Sequence, residues 1–133
     1  MKNNTLVNVG IYSYIGISLL GLASVSLLSL INPQSTMDLV HVKLENNDAL
    51  SSIRGIYGGA GLAIIIGVIY LTINQIHLAL RFITIFWGAY ALSRLITIIV
   101  NGPLGDFGNN WIAIETALSI IGMTLIFFSR HSK

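Results

Sequence analysis

The sequence predicts an all-α membrane protein built as an antiparallel bundle of four transmembrane helices. Its 133 residues are 54% hydrophobic and only 9% charged, whereas soluble domains average about 25% charged residues. The mean hydropathy is +0.80. Four apolar runs appear, at residues 6–31, 55–73, 82–100 and 111–128, and about 20 apolar residues suffice to cross a bilayer as a helix. We expect residues 1–133 to form a single domain with membrane lipids as its surroundings.

The remaining composition excludes several classes of function. The net charge is +2, but the seven Lys and Arg residues are scattered rather than clustered, so we expect no nucleic-acid binding. The chain has no cysteine, which removes disulfides, thiolate metal sites and cysteine nucleophiles.

The first run is expected to be a retained span. It is longer than the roughly 7–15 apolar residues of a signal peptide. It stops at Asn32-Pro33, because proline cannot continue a helix. In the connector that follows, residues 40–45 alternate between apolar and polar types, which predicts a short extended segment. The candidate N-caps of the second helix are Asp48, Ser51 and Ser52.

The other two connectors are short. Residues 74–81 are few enough to force an antiparallel hairpin, and residues 101–110 contain Gly102-Pro103, Gly105 and Gly108, which indicate a tight, irregular loop. Basic residues then set the orientation, because they are enriched on the cytoplasmic side. On the side of the termini lie Lys2, Arg81, Arg130 and Lys133, and on the other side only Lys43 and Arg54. Both termini are therefore expected in the cytoplasm.

Two charged residues lie inside the apolar runs, Arg94 in the third and Glu115 in the fourth. A charge at membrane depth is costly and usually has a partner or a function. Counted from the outer ends of the two runs, Arg94 lies roughly 9 Å deep and Glu115 roughly 6 Å deep. Because a short loop joins these helices, we predict an Arg94–Glu115 ion pair, with Arg54 nearby as a second cation.

A polar stripe extends from this pair, because three- and four-residue steps place residues on one helical face. On the third helix these are Trp87, Tyr90, Arg94, Thr97 and Asn101, and on the fourth Trp111, Glu115, Ser119 and Gly122. One interpretation is a small polar cavity open to the outer surface, and the other is a structural ion pair whose arginine extends to the headgroups. The candidate ligand-binding residues are Arg54, Tyr57, Tyr90, Arg94, Asn101, Glu115 and Ser119.

The second helix carries a ladder of small residues four apart, Gly55, Gly59, Ala63 and Gly67. Such ladders let two membrane helices approach closely, so we predict packing against another helix of the chain or against a second copy. Gly58-Gly59 is no phosphate loop, because neither a preceding strand nor the GKS/T ending is present.

No catalytic or cofactor site is predicted. The histidines, His41, His77 and His131, lie in separate connectors or in the tail, whereas a metal site needs converging ligands. We therefore expect no metal, no cofactor and no enzymatic activity.

Several short motifs carry a resemblance to a known family: Arg54-Gly55-Ile56-Tyr57-Gly58-Gly59, Ser93-Arg94, Asn101-Gly102-Pro103 and Glu115. In these motifs the chain resembles the small bacterial four-span membrane proteins of domain-of-unknown-function family 4345, and the resemblance covers the whole chain. It implies a location in the bacterial cytoplasmic membrane. Ser93 stands where the family pattern has glycine and Asn101 where it has an acid, which puts more weight on Glu115 as the counter-ion.

The family has no established activity, so the resemblance implies the fold and the polar cluster but no function. We expect a non-enzymatic structural or accessory protein. The alternative is a binding or transport protein for a lipid headgroup, a small anion or a proton.

Overall fold

The computed structural model describes the backbone of residues 2–131 and the side chains of residues 5–130. This part of the chain is helical almost throughout and contains no strand. In chain order the helices are α1 (Lys2–Ile31), α2 (Pro33–Asp38), α3 (Asn47–Ile53), α4 (Ala60–Asn74), α5 (Ile76–Asn101) and α6 (Asp106–His131), and a π-helical segment, Arg54–Gly59, joins α3 to α4.

Within the described residues, four continuous helices are long and apolar enough to cross a membrane. They are Thr5–Ile31, Asn47–Asn74, Ile76–Asn101 and Asp106–Arg130, which confirms the predicted fold class. The last three begin well before the apolar runs at residues 55, 82 and 111. The helices start earlier because each continues into more polar residues before its apolar run, and the bounds of the membrane spans themselves stay predictions.

The chain divides into two compact units, one comprising residues up to Gly16 and from Leu71 onward, the other Ile17–Tyr70. The single domain, the antiparallel arrangement of all four spans and the cytoplasmic location of the termini stay predictions.

In the unit Ile17–Tyr70, glycines of the second spanning helix lie against the second half of α1. A Cβ atom on Gly58 would come 2.7 Å from the side chain of Leu30, and one on Gly61 would overlap the hydroxyl of Ser26. Small residues at these points permit the close approach that membrane helices use in place of hydrophobic association.

The first connector is more ordered than the sequence predicts. Asn32 caps α2 by accepting a hydrogen bond from the Ser35 amide at 3.3 Å, and Pro33 takes the first helical position, where its missing N–H costs nothing. The predicted extended segment does not form a strand: Val40 lies in a turn and residues 42–45 have no regular structure.

The side chain of Gln34 holds this irregular stretch to α2. Its Nε2 donates to the Val42 carbonyl at 3.0 Å, and its Oε1 accepts from the Leu44 amide at 2.8 Å. The second spanning helix then begins after Asn46, whose side chain accepts from the Ala49 amide at 2.8 Å. The predicted caps Asp48, Ser51 and Ser52 were wrong, because all three lie inside this helix.

The unit that contains α5 and α6 is built mainly on the pairing of these two helices. Arg94 bonds Glu115, and ten residues earlier on α5 Thr84 lies against Gly122, seven residues later on α6. Moving back along α5 from Arg94 to Thr84 corresponds to moving forward along α6 from Glu115 to Gly122, so the two helices run in opposite directions.

The connectors of this unit are shorter than predicted. Only Gln75 separates α4 from α5, so His77 and Arg81 are helical. The loop between α5 and α6 spans residues 102–105 and leaves Gly108 within α6. It starts at Gly102 with φ 99°, a conformation that glycine adopts without steric cost.

Candidate functional site

Arg94 and Glu115 form a two-point ion pair between α5 and α6. The Nε atom of Arg94 donates to Glu115 Oε2 at 2.7 Å, and Nη2 donates to Oε1 at 3.0 Å. The parallel bonds match the planar guanidinium to the planar carboxylate, the strongest geometry available to such a pair. The predicted contact is confirmed.

The two side chains of the pair are buried to different extents. Glu115 is 1% exposed, whereas the side chain of Arg94 is 21% exposed. The guanidinium carbon of Arg94 lies 5.8 Å from the centre of the Phe107 ring, within the range of a cation–π interaction. Two of the five N–H groups of Arg94 bond Glu115, and the other three have no hydrogen-bond partner among the described residues. Both carboxylate oxygens are therefore bonded, while the arginine retains three N–H donors that bond no described residue.

The two charges lie farther from the ends of their helices than from the ends of the apolar runs. Arg94 is about 10 Å from the end of α5 at Asn101, and Glu115 is about 14 Å from the start of α6 at Asp106. Both distances are larger because the helices continue beyond the apolar runs.

A second polar group, which we call the hydroxyl cluster, lies further along the same helices. It consists of Tyr14, Thr84 and Ser119. Ser119 donates to the Thr84 carbonyl at 3.4 Å, and the Thr84 hydroxyl donates to the Leu80 carbonyl at 2.7 Å. Tyr14 is 4% exposed, and its hydroxyl has no hydrogen-bond partner among the described residues.

Gly122 lies at the centre of the hydroxyl cluster. A Cβ atom on it would overlap the Thr84 hydroxyl and come 2.6 Å from the Tyr14 hydroxyl. The sequence placed Ser119 and Gly122 on the polar stripe but gave no reason to single out Tyr14 or Thr84, since both look like ordinary residues of an apolar run.

Three further stripe residues are exposed. Tyr90 is exposed, with its ring 4.9 Å from that of Phe86. Asn101 is exposed at the end of α5, and Thr97 is exposed and donates to the carbonyl of Ser93. The polar cavity that these residues were predicted to line stays a prediction.

Arg54 and Tyr57 belong to the other unit, in the π-helical segment. Arg54 is exposed, and its Nε atom donates to the Leu30 carbonyl at 3.2 Å. It places a positive charge at the C-terminal end of α1, where unpaired carbonyls concentrate negative charge. Tyr57 is half-buried. The proximity of Arg54 to the Arg94–Glu115 pair stays a prediction.

The glycines of the second spanning helix divide into two sets. Gly58 and Gly61 contact α1, as described above. The predicted ladder is different: a Cβ on Gly55 or Gly67 would meet no atom within 4 Å, and one on Gly59 would meet only the backbone oxygen of Arg54 at 3.9 Å. Ala63 is exposed as well. The ladder is an open face.

Comparison with known families adds one assignment. Residues 13–126 match the family described as a domain of unknown function, DUF4345. The chain belongs to this family. No curated protein matches, and no solved structure matches.

The DUF4345 match includes both polar groups, from Tyr14 near its start to Gly122 near its end. The predicted family is confirmed, and the Arg94–Glu115 pair lies within the matched residues.

Proposed function

We propose that this DUF4345 chain is a non-enzymatic structural or accessory protein of the bacterial cytoplasmic membrane. It crosses the bilayer four times with both termini in the cytoplasm. The Arg94–Glu115 pair fixes α5 to α6 and holds the domain in one shape for a larger assembly. The two-point geometry of that pair carries the proposal.

The bonding of Glu115 favours this structural role over proton chemistry. A carboxylate acting as a base needs an oxygen free to approach its substrate, whereas both oxygens of Glu115 accept from Arg94. The charge of Arg94 is likewise balanced at contact distance. Such a pair stabilises a specific helix–helix register, because either partner alone would be a charge left in an apolar surrounding.

A double-mutant cycle tests the structural role. Arg94→Leu or Glu115→Leu alone leaves one buried charge unpaired and should cost about 3–5 kcal/mol, whereas the double Leu variant should lie close to the wild type. Unfolding by SDS titration in mixed micelles gives the four free energies. Arg94→Lys is the matched control: it keeps the charge but loses the planar fork, so it should fall between the wild type and the single Leu variants.

Additive losses in the double variant would contradict the structural proposal, because they would mean that the two charges do not depend on each other.

The open ladder supports self-association as part of this role. Gly55, Gly59, Ala63 and Gly67 present a flat face to the membrane, and such faces pair through close backbone contact. A second copy of the chain is the partner we propose. Gly67→Leu should abolish a crosslinked dimer in bilayers, while Gly16→Leu, at an equally open glycine on α1, should leave the dimer intact. Equal behaviour of the two variants would refute the ladder as the interface.

A second candidate function rests on the spare donors of Arg94. In a binding or transport protein, its three unpaired N–H groups would bind the oxygens of a lipid headgroup or a small anion. Native mass spectrometry of the protein in mild detergent tests this. Retained anionic lipid that the Arg94→Leu, Glu115→Leu double variant loses would support it, and equal retention by both proteins would exclude Arg94 as the binding group.

A further inference from the structure

The hydroxyl cluster contains more hydrogen-bonding capacity than the protein uses. The Tyr14 hydroxyl is 4% exposed and lies beside the Thr84 side chain, but it makes no hydrogen bond of ordinary geometry with the described residues. Thr84 donates to Leu80 but retains its acceptor lone pairs, and the Ser119 bond of 3.4 Å is long for an O–H···O contact. A buried polar group without a well-formed hydrogen bond is strongly disfavoured in an apolar surrounding, so the neighbouring hydroxyls of Tyr14 and Thr84, with the weakly bonded Ser119 one turn away from Gly122, indicate a bound molecule.

The position of the cluster limits what that molecule is. Tyr14, Thr84 and Gly122 each lie roughly 12–14 Å inside their spanning helices. The hydroxyls of Tyr14 and Thr84 both lie beside the position that a Gly122 side chain would occupy. A lipid carbonyl would have to separate the helices to reach a tyrosine that is 4% exposed, whereas a water molecule needs only about one probe sphere of space and two to four polar partners.

We infer that Tyr14, Thr84 and Ser119 form a binding site for a single internal water molecule. The water accepts from the Tyr14 hydroxyl and donates to the Thr84 hydroxyl oxygen, with Ser119 as the third partner. Gly122 is required because any side chain there would displace one of the two hydroxyls. Ser119 lies one turn from Glu115 on α6, so the water extends the polar groups of the ion pair toward the middle of the helices.

Water-edited solid-state NMR tests the site directly, on the full chain in lipid bilayers with ¹³C-labelled tyrosine. We expect magnetisation to pass from water to the ring of Tyr14 despite its burial. Gly122→Ala should abolish that transfer, and Ser119→Ala should reduce it. Gly16→Ala, an open position on α1, is the matched control and should leave it unchanged. If Gly122→Ala does not fold, the transfer from water to Tyr14 in the wild-type protein still tests the inference.

Two results would overturn the inference. Transfer to Tyr14 from lipid carbonyl or acyl groups, and none from water, would mean that a lipid occupies the site. No transfer from either source would mean a dry, unsatisfied hydroxyl.

The folding stability of a Tyr14 variant also distinguishes a site that holds water from a dry one. With a bound water, Tyr14→Phe loses a hydrogen bond and should lower the folding equilibrium constant roughly five- to tenfold. An unchanged or raised constant contradicts the inference. Tyr12→Phe, at an exposed ring on α1, controls for the substitution itself.

Discussion

The contact between Gly61 and Ser26 should make Gly61→Ala destabilising in a helix where alanine is normally the better residue. A Cβ on Gly61 would overlap the Ser26 hydroxyl and come 3.1 Å from its Cβ. Ser26 is 2% exposed, so its side chain has no open space to move into. Overpacking of this kind costs about 1–3 kcal/mol, and alanine returns about 1 kcal/mol through helix propensity. The net loss is about 0–2 kcal/mol.

A comparison with Gly21→Ala removes the propensity term. Gly21 lies in α1 of the same unit, and a Cβ there would meet nothing within 4 Å, so this variant should be stabilised by up to about 1 kcal/mol. The difference between the two variants is then the steric cost alone, about 1–3 kcal/mol. SDS titration in mixed micelles measures both.

Removing the Ser26 side chain should rescue Gly61→Ala. In a cycle with Ser26→Gly, the coupling free energy should be at least about 0.5 kcal/mol in favour of the double variant, as for residues in contact. The reasoning is refuted if Gly61→Ala proves as stable as Gly21→Ala, or if Ser26→Gly adds its own loss without rescue.

Two further predictions concern the connectors. Gly102→Ala should lower the free energy of unfolding by about 1–3 kcal/mol, because φ 99° is strained for any residue with a Cβ. The control in thermal unfolding is Gly105→Ala, at a position with no positive φ and with open space. Equal melting temperatures of the two variants would contradict the prediction. Asn46→Ala should cost about 1 kcal/mol through loss of the cap and speed hydrogen exchange at the Ala49 amide; unchanged exchange there would mean that the cap is dispensable.

The sequence predicts the features that depend on the free-energy cost of placing polar or charged groups in lipid. The four spans are visible because each is a long apolar run, and the Arg94–Glu115 pair is visible because two opposite charges interrupt neighbouring runs. The positions of the helix ends cannot be predicted from hydropathy in the same way. Residues such as those of α3 are polar yet helical, because a cap and local hydrogen bonding, rather than hydropathy, decide where a helix begins.

The interior contacts that were missed depend on which faces meet. Tyr14 and Thr84 are 70 residues apart in the sequence, and nothing local marks them as neighbours. The glycines show the same limit: spacing singled out Gly55 and Gly59, but the residues packed against α1 are Gly58 and Gly61. The π-helical segment widens the turn at this point, so counting α-helical steps across it does not identify the glycines that pack against α1.

The helix Asn47–Asn74 is longer than a membrane is thick. Its 28 residues extend about 42 Å, against about 30 Å of hydrocarbon in a bilayer. The polar first two turns, which end at Arg54, account for about 12 Å of this length and would stand above the hydrocarbon at the level of the headgroups. In the proposed four-span arrangement, the apolar run that starts at residue 55 would mark the edge of the hydrocarbon, and the helix would start two turns earlier among the headgroups.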